Sequence, residues 1–272
     1  DRISNFEPTI NTFSFVSPYW NPFTAIRWLA GRAIPASKGS GKAATAGYAF
    51  FETRSGYNFV SYDYFSKQVP VTRMVVGHEK SELEDDDDKG ITAVDKVTIE
   101  SSVDLFKGLN YGSYSSNVMT LDLANMKFEQ HPFSINKYYK DVSVMNSRKT
   151  PEFYKGFDTQ ATYTRIMTKI SDSALFTEGE YTQGFTKQLS QSSLREKLFY
   201  NKKVTVELVS DYQLEIGEVV QLDIYKGSSD RKQDFTNSGK YVIGKVERTF
   251  KSSEDKMSTR LTLYTDSDGA ES

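Results

Sequence analysis

The chain has 272 residues, of which 38% are hydrophobic and 14% aromatic, and its formal net charge at pH 7 is −2. Because cysteine is absent, disulfides and thiolate metal sites are excluded, and the balanced charge gives no general attraction to nucleic acid or to an anionic membrane. No apolar run approaches the length of a membrane span, and no secretory signal is visible. The 18 phenylalanines and 17 tyrosines favour strands, so the composition predicts an α+β chain that is mostly β.

A short amphipathic helix is predicted within the stretch SPYWNPFTAIRWLAGRA, from Ser17 to Ala33. Asn21 can cap this helix, and Pro22 suits its first position, where the missing N–H is no loss. We expect Trp20 and Trp28 to act chiefly as packing residues, since large aromatic side chains are mostly found in cores. The residues that the helical period places on one apolar face are Phe23, Ile26, Leu29, Ala30 and Ala33.

A β-hairpin is predicted after the helix, beyond a linker-like segment from Lys38 to Gly47. The sequence YAFFETRSGYNFVSYDYF contains two aromatic runs, Tyr48 to Phe51 and Tyr57 to Val60, around a turn at Thr53 to Gly56. Both faces of these strands carry apolar side chains. We therefore expect the hairpin to be covered on both sides, with the preceding helix on one of them.

One charge block stands out, with seven acidic and two basic residues between Glu79 and Lys89. Its pattern is typical of a solvated loop. A calcium-binding loop is the alternative, because Gly90 follows a run of aspartates as in an EF-hand. Aligning that glycine with the EF-hand turn places Lys89 at the fifth ligand position and Lys96 where the bidentate glutamate belongs, which argues against calcium.

The middle of the chain has a mixed α+β pattern from Ile91 to Lys149. Strand-like alternation appears at Val97 to Ile99 and in NVMTLDL, with SVDLFKGLNYG as a possible short helix between them. The following stretch TPEFYKGFDTQATYTRIMTKISDS is polar and aromatic without a clean period. It is expected to form an extended surface excursion.

Four alternating strands are predicted near the C-terminal end, with the sequences KVTVELV, EVVQLDIY, KYVIGKVERTF and STRLTLYT. A short helix at SSLREKLFYNKK precedes them, with Leu194, Leu198 and Phe199 on one side. Four consecutive antiparallel strands form a meander, and strands from elsewhere would close it into a small barrel. The loop from Lys226 to Lys240 is expected to protrude into solvent or onto a partner. The apolar residues that repeat with period two are Val204, Val206, Leu208, Val220, Leu222, Ile224, Leu261 and Leu263.

The residues for common catalytic chemistries are missing. The two histidines, His78 and His131, lack zinc spacing, and no Gly-x-Ser-x-Gly turn is present for a serine nucleophile. The GSGK sequence would need glycine at Ile34 and serine or threonine at Ala43 to match a phosphate-binding loop. Paired carboxylates remain open, because 36 acidic residues permit many pairs. We therefore predict no catalytic, cofactor-binding or metal-binding residues.

The order of these elements resembles the baseplate central hub proteins of contractile-tailed phages of the T-even type, which are related to type VI secretion spike proteins. The resemblance rests on the opening pair SPYWNPFTAIRWLAGRA and GYAFFETRSGYNFVSYD, and on the closing LEIGEVVQLDIY, which looks like part of a tail-tube fold. It implies an inserted α+β domain at residues 1–70, an elaborated middle region at 71–191, and a tube-like antiparallel β-barrel domain at 192–266.

The resemblance also implies a function and a set of partners. It implies a non-enzymatic structural hub in the virion, assembled in the host cytoplasm, whose homotrimeric ring adapts the hexameric tail tube above to the threefold spike below. Tube-initiator and other baseplate proteins would be its neighbours, with no membrane partner and no nucleic acid contact beyond passage through the lumen. The alternatives are a baseplate-associated cell-wall hydrolase and a tail module that binds host glycans through exposed aromatic side chains.

The chain opens DRISNFEPTI without an initiator methionine, so we expect residues before Asp1 to be missing from it. In that case the barrel between Lys203 and Thr265 would borrow cover from the missing segment or from neighbouring subunits. The barrel side chains then expected to be only partly covered in this chain are Val204, Val206, Leu222 and Ile224.

Overall fold

A computed structural model describes residues 2–10, 14–36, 47–77, 91–101, 114–123, 126–134, 142–149, 165–171, 192, 194–208, 213–226, 232–252 and 256–269. The helices in these ranges are α1 (Pro22–Ala30) and α2 (Tyr62–Lys67), and residues 194–199 are also helical. The strands are β1 (Ile3–Phe6), β2 (Tyr48–Thr53), β3 (Gly56–Ser61), β4 (Arg73–Val76), β5 (Ile91–Ala93), β6 (Lys96–Ser101), β7 (Ser115–Asp122), β8 (Lys127–Ser134), β9 (Arg148–Lys149), β10 (Arg165–Ser171), β11 (Lys202–Leu208), β12 (Val219–Lys226), β13 (Lys232–Gln233), β14 (Gly239–Lys251), β15 (Lys256–Thr265) and β16 (Ser267–Asp268). The α+β, mostly β class predicted from composition is confirmed.

The chain forms two compact units, each assembled from three separate segments. The first unit comprises Asp1–Tyr62, Asp104–Ser143 and Pro151–Lys197. The second unit comprises Asp63–Val103, Val144–Thr150 and Leu198–Ser272. The domain boundaries expected after residues 70 and 191 stay predictions.

The first unit contains the predicted helix and hairpin. Asn21 caps α1 by accepting a hydrogen bond from the Thr24 backbone N–H at 2.8 Å, and Pro22 occupies the first turn as expected. β2 and β3 form an antiparallel hairpin, and β1 pairs in parallel with the other edge of β3. Gly56 follows the turn with φ +135, and a Cβ there would lie 2.1 Å from the Arg2 carbonyl oxygen, so only glycine fits.

A second sheet of the first unit contains three strands in the order β10-β7-β8. β7 and β8 form the hairpin whose first strand was predicted from NVMTLDL. β10 lies within the stretch expected to be a surface excursion, and it pairs in parallel with the whole of β7. The expectation is therefore wrong for residues 165–171. Pairing with β7 makes this segment a strand, although it has no clear period of its own.

The second unit is a barrel with the strand order β5-β4-β12-β14-β15-β11-β6, and β13 pairs with β12. The expected four-stranded meander is only partly correct. β12, β14 and β15 are neighbours in the sheet in chain order, but β11 pairs with the far edge of β15 and not with β12. The barrel is also mixed rather than wholly antiparallel, since β4 runs parallel to both of its neighbours. The parallel pairs arise from β4 and β5, which come from an earlier part of the chain than β11 to β15.

The segment from Ile91 to Ser101 closes the barrel. β5 pairs with β4, whereas β6, which is separated from β5 by only two residues, pairs with β11 at the opposite end of the sheet. The Val94 N–H donates to the Val75 carbonyl oxygen at 3.0 Å, and the Asp95 N–H donates to the Glu207 carbonyl oxygen at 2.9 Å. One bent strand therefore joins the two ends of the sheet, as a closed barrel requires.

The barrel interior is the main described core of the second unit. It contains the period-two residues predicted from the sequence, together with residues from β4 and β14. The expectation that the barrel would be only partly covered is wrong, because β4 to β6 come from the same chain and complete the wall. The four residues concerned are Val204, Val206 and Leu222, each 0% exposed, and Ile224, 6% exposed.

Candidate functional site

The tryptophans of the opening stretch pack on one another in the first unit. The ring centroids of Trp20 and Trp28 are 5.8 Å apart, and Phe15 lies 4.9 Å from Trp28 on centroids. The Arg32 guanidinium lies 3.8 Å from the centroid of the Trp28 ring and donates to the Trp28 carbonyl oxygen at 3.0 Å. Burial lowers the pKa of Arg32. Both tryptophans are half-buried, so they act as packing residues, as the sequence predicted.

One face of the β1-β3-β2 sheet carries a row of aromatic rings. Phe59 stacks between Tyr48, at 4.7 Å, and Phe6, at 6.1 Å, and the interplanar angles are 25° and 19°. Phe50 and Tyr57 form a second stack at 5.6 Å and 17°. Neighbouring rings on this face of the sheet are therefore stacked on one another.

Helix α1 covers only part of this row. Ala30 and Ala33 are buried against Tyr48 at one end, whereas the other end of the row remains open to solvent. Phe23, at the start of α1, lies 5.9 Å from Phe50 on centroids and is 58% exposed. The result is an aromatic surface with one buried end and one accessible end.

Strand β1 extends this surface at the sheet edge. A register shift between Ile3 and Asn5 places both Ile3, opposite Tyr57, and Phe6, opposite Phe59, on the aromatic face. Ile3 is 65% exposed and Phe6 is 60% exposed. Sequence reasoning missed these two residues, because the irregularity breaks the alternation with period two by which a strand is recognised.

The exposed part of the aromatic surface is bordered by arginines. Arg2 precedes β1 and lies beside the hairpin turn, where its carbonyl oxygen accepts from the Tyr57 N–H at 2.8 Å. Arg27 lies on α1, one turn after Phe23, and both arginines are exposed. We name Ile3, Phe6, Phe23, Arg2 and Arg27 the aromatic-arginine face.

The second unit contains buried polar groups of a different kind. The Asp223 side chain is 4% exposed and accepts from Arg73 Nε at 2.6 Å, from Gln221 Nε2 at 3.0 Å and from Gln233 Nε2 at 3.2 Å. These donors come from β4, β12 and β13. A buried carboxylate with three donors holds strands together, and its oxygens are occupied by those donors.

Asn146 joins three parts of the second unit. Its Nδ2 group donates to the carbonyl oxygens of Lys240 and Ser267, each at 3.1 Å, and to Thr265 Oγ1 at 3.0 Å. Its Oδ1 atom accepts from the Lys240 N–H at 2.7 Å. Asn146 therefore fastens the start of β14 to the end of β15. The sequence carried no local signal for this, since these partners lie 94 to 121 residues away along the chain.

A third polar cluster lies where β11 and β14 begin and where the chain continues after β15. Lys202 Nζ donates to Asp268 Oδ1 and to the Thr236 carbonyl oxygen, both at 2.6 Å. The Tyr241 hydroxyl donates to the Asn237 carbonyl oxygen at 2.8 Å, and burial raises the pKa of Tyr241 well above its usual value. These contacts stabilise strand ends.

The residues weighed for catalysis or metal binding do not form a site among the described residues. His131 lies in β8, whereas His78, the acidic block from Glu79 to Lys89 and the GSGK sequence lie outside the described residues. No group of three or more potential metal ligands occurs in the part of the chain that the structure describes. Within the same ranges, no helix is long and apolar enough to cross a membrane.

Comparisons with known proteins found distant likenesses in structure alone. No family model and no curated protein matches the chain. It is similar to the tail protein from Neisseria meningitidis MC58, with 10% identity and a TM-score of 0.43, over 92% of this chain and 56% of that chain. It is also similar to a chain of the virion of a native gene transfer agent particle, with 14% identity and a TM-score of 0.33, over 79% of this chain and 34% of that chain. The chain thus spans about half the length of the first and a third of the second.

Proposed function

We propose that the chain is a structural component of a phage tail, and within the tail a subunit of the central hub of the baseplate. The observation that supports the proposal is the closed barrel of the second unit, because the hub resemblance implies a small β-barrel in this part of the chain. It is combined with the helix and aromatic hairpin on which the resemblance rests. The two similar structures come from a tail protein and a virion, but likenesses at these TM-scores add no weight to the proposal.

The barrel is suited to form part of the wall of a ring. Its interior is filled by side chains of this same chain. Its outer surface carries a charged ladder across three strands, in which Arg260 Nη2 contacts Glu207 at 2.8 Å and lies opposite Glu247. Such a surface favours solubility and specific docking over uncontrolled pairing of sheets.

In the proposed hub, three copies form a closed ring. Each copy presents its barrel as part of the wall of the ring, with the hexameric tail tube on one side and the threefold spike on the other. A closed ring needs two different contact surfaces on every copy, because each subunit meets one neighbour on each side. The function is then mechanical: the ring transmits force and matches symmetries without a chemical step.

Assembly state tests this proposal directly. The protein at micromolar concentration is expected to sediment as a trimer, and electron micrographs are expected to show threefold rings. A single monomeric species, both alone and with the spike protein, would contradict the hub role.

The two alternative functions have less support among the described residues. A glycan-binding platform needs free aromatic faces; Phe59 is stacked between two neighbouring rings, although Phe6 and Phe23 are more than half exposed. A hydrolase needs an available carboxylate pair, whereas Asp223 and Asp268 are engaged with donors. Clearing of peptidoglycan in a zymogram, or specific binding on a glycan array, would favour one of these alternatives over the hub.

A further inference from the structure

A short segment of the second unit, residues 144–149, is held by barrel residues that are distant from it in sequence. The chain enters this segment from Asp104–Ser143 and continues after it into Pro151–Lys197, both of which belong to the first unit. Its hydrogen-bond partners in the second unit lie 94 to 121 residues further along the chain. We name residues 144–149 the strap, and we name the residues that hold it the seat, which comprises Gly239, Lys240 and residues 265–268.

The seat recognises the side chain of Asn146. The Asn146 amide pairs with both backbone groups of Lys240: Oδ1 accepts from the N–H at 2.7 Å, and Nδ2 donates to the carbonyl oxygen at 3.1 Å. A side-chain amide offers both a donor and an acceptor, so it replaces the peptide group of a neighbouring strand. A Cβ at Gly239 would lie 2.5 Å from Asn146 Oδ1, so glycine leaves the space that the amide occupies.

The seat also binds the backbone of the strap. The Met145 N–H donates to Asp266 Oδ1 at 2.9 Å, and the Asn146 N–H donates to Ser267 Oγ at 2.7 Å. Asp266 and Ser267 are each 1% exposed. Further along the strap, β9 pairs antiparallel with β16. Main-chain pairing combined with a space for one particular side chain is how proteins bind extended peptides by strand addition.

Apolar burial contributes little to holding the strap. Among its described residues, Met145 alone is a buried apolar side chain, whereas the barrel strands bury a continuous aliphatic core. Segments with few buried apolar contacts open locally at a lower free energy than the core of the same protein. The strap is therefore expected to leave its seat while the barrel remains folded.

We propose that the strap exchanges between copies: it leaves its own seat and binds the seat of a second copy. The seat does not adjoin the strap in sequence, so the strap of another copy forms the same hydrogen bonds there, and no new surface is required. The strap of the same chain keeps the advantage of a higher effective concentration. This inference goes beyond the proposed function and does not depend on the hub role.

Disulfide trapping tests the exchange, because the chain contains no cysteine of its own. Arg148 on the strap lies directly opposite Asp268 on the seat. A chain with Arg148→Cys is mixed with a chain of distinguishable mass that carries Asp268→Cys, under mild oxidation. The expected product is a disulfide-linked heterodimer. Phe128→Cys mixed with Asp268→Cys is the control and should not give this product, since Phe128 is 56% exposed but lies outside the strap and the seat.

The same substitution placed in either chain makes the test directional. Asn146→Ala in the Asp268→Cys chain weakens the strap that competes for that seat, so the yield of heterodimer is expected to rise. Asn146→Ala in the Arg148→Cys chain weakens the strap that must bind in trans, so the yield is expected to fall. Thermal melts of the cysteine chains establish that each of them is folded.

A peptide provides a second measurement of the same site. A labelled peptide of residues 142–150 is expected to bind the Asn146→Ala chain and to raise its melting temperature. The same peptide with Asn146→Asp keeps its shape but loses the Nδ2 donor, and it is expected not to bind. Adding Gly239→Ala to the Asn146→Ala chain fills the space for the amide and is expected to abolish binding of the unmodified peptide.

Two outcomes would overturn the exchange. One is the absence of a mixed disulfide, although a single chain with both Arg148→Cys and Asp268→Cys forms its internal disulfide. The other is a mixed disulfide whose yield changes equally whichever chain carries Asn146→Ala, since this would indicate random collision of thiols.

Discussion

The two units of the chain use their apolar residues in opposite ways. The barrel of the second unit directs its aliphatic side chains inward, and Val204, Leu261 and Leu263 are fully buried. The three-stranded sheet of the first unit keeps a row of aromatic rings half-covered, with Phe6 and Phe23 more than half exposed. A closed barrel has an inside that the chain can fill by itself, whereas an open sheet needs a further layer on each face. The described core of the barrel is therefore buried, whereas part of the aromatic face of the open sheet is exposed.

The largest expected effect comes from emptying the barrel interior. Leu263→Ala is expected to lower the free energy of unfolding by about 2–5 kcal/mol, because it removes buried methyl groups and leaves a cavity. Thermal or urea melts measure the loss. Phe250→Ala, on a side chain that is 64% exposed in the same unit, is the control and should stay within about 0.5 kcal/mol of wild type. Equal losses in the two variants would show that the barrel does not support the unit.

The next effect concerns the junction at Asn146. Asn146→Ala is expected to cost about 1–3 kcal/mol, because the Lys240 and Ser267 backbone groups lose a partner inside the second unit. In urea unfolding, a lower midpoint with an unchanged slope would show that the free energy of unfolding has decreased. An unchanged midpoint would mean that water replaces the asparagine without loss.

Gly239 provides the matched test of that junction. A Cβ at Gly239 would lie 2.5 Å from Asn146 Oδ1, and its φ of +146 disfavours other residues. Gly239→Ala is therefore expected to destabilise the wild type by more than it destabilises the Asn146→Ala background, where the clash is absent. Strictly additive effects in this double-mutant cycle would contradict the contact.

A smaller effect is expected in the first unit, at the start of α1. Asn21→Ala is expected to cost about 1 kcal/mol, since the Thr24 N–H loses its capping acceptor. Hydrogen exchange at Thr24 should become faster, while exchange in the barrel strands remains unchanged. Asn21→Ser, which keeps an acceptor, should restore protection. A uniform acceleration across both units would show that the two are not independent in stability.

The smallest effect is a pH dependence on the outer surface of the barrel. The hydrogen bond from Lys245 lowers the pKa of Glu247 below its usual value of 4.5. A lowered pKa means that the ionised form stabilises the folded state, so this contribution is present above pH 4.5 and disappears as the pH falls through the folded-state pKa. Glu247→Gln should flatten the acid limb of the stability profile slightly. An identical profile in both proteins would mean that the ion pair is fully screened.

Much of the local structure could be predicted from short stretches of sequence. The helix after Asn21 and the hairpin around Gly56 formed as expected, because capping, proline and turn signals act within a few residues. The period-two repeat likewise predicts the interior residues of the barrel strands without any information on their partners. The open aromatic face was harder to predict, because β1 has an irregular register and pairs with a strand more than fifty residues away.

The sequence by itself determined helix α1, the hairpin of β2 and β3, and the apolar side of the barrel strands β11, β12 and β15. Only the tertiary structure decided that β11 pairs with β15 and that residues 91–101 close the barrel. It also decided that Asn146 joins the start of β14 to the end of β15. Propensity and periodicity act over a few neighbouring residues, whereas strand order depends on free energies of pairing between distant segments. For the same reason the sequence did not predict the exposure of Phe6 and Val69, since exposure depends on how distant segments pack around a residue.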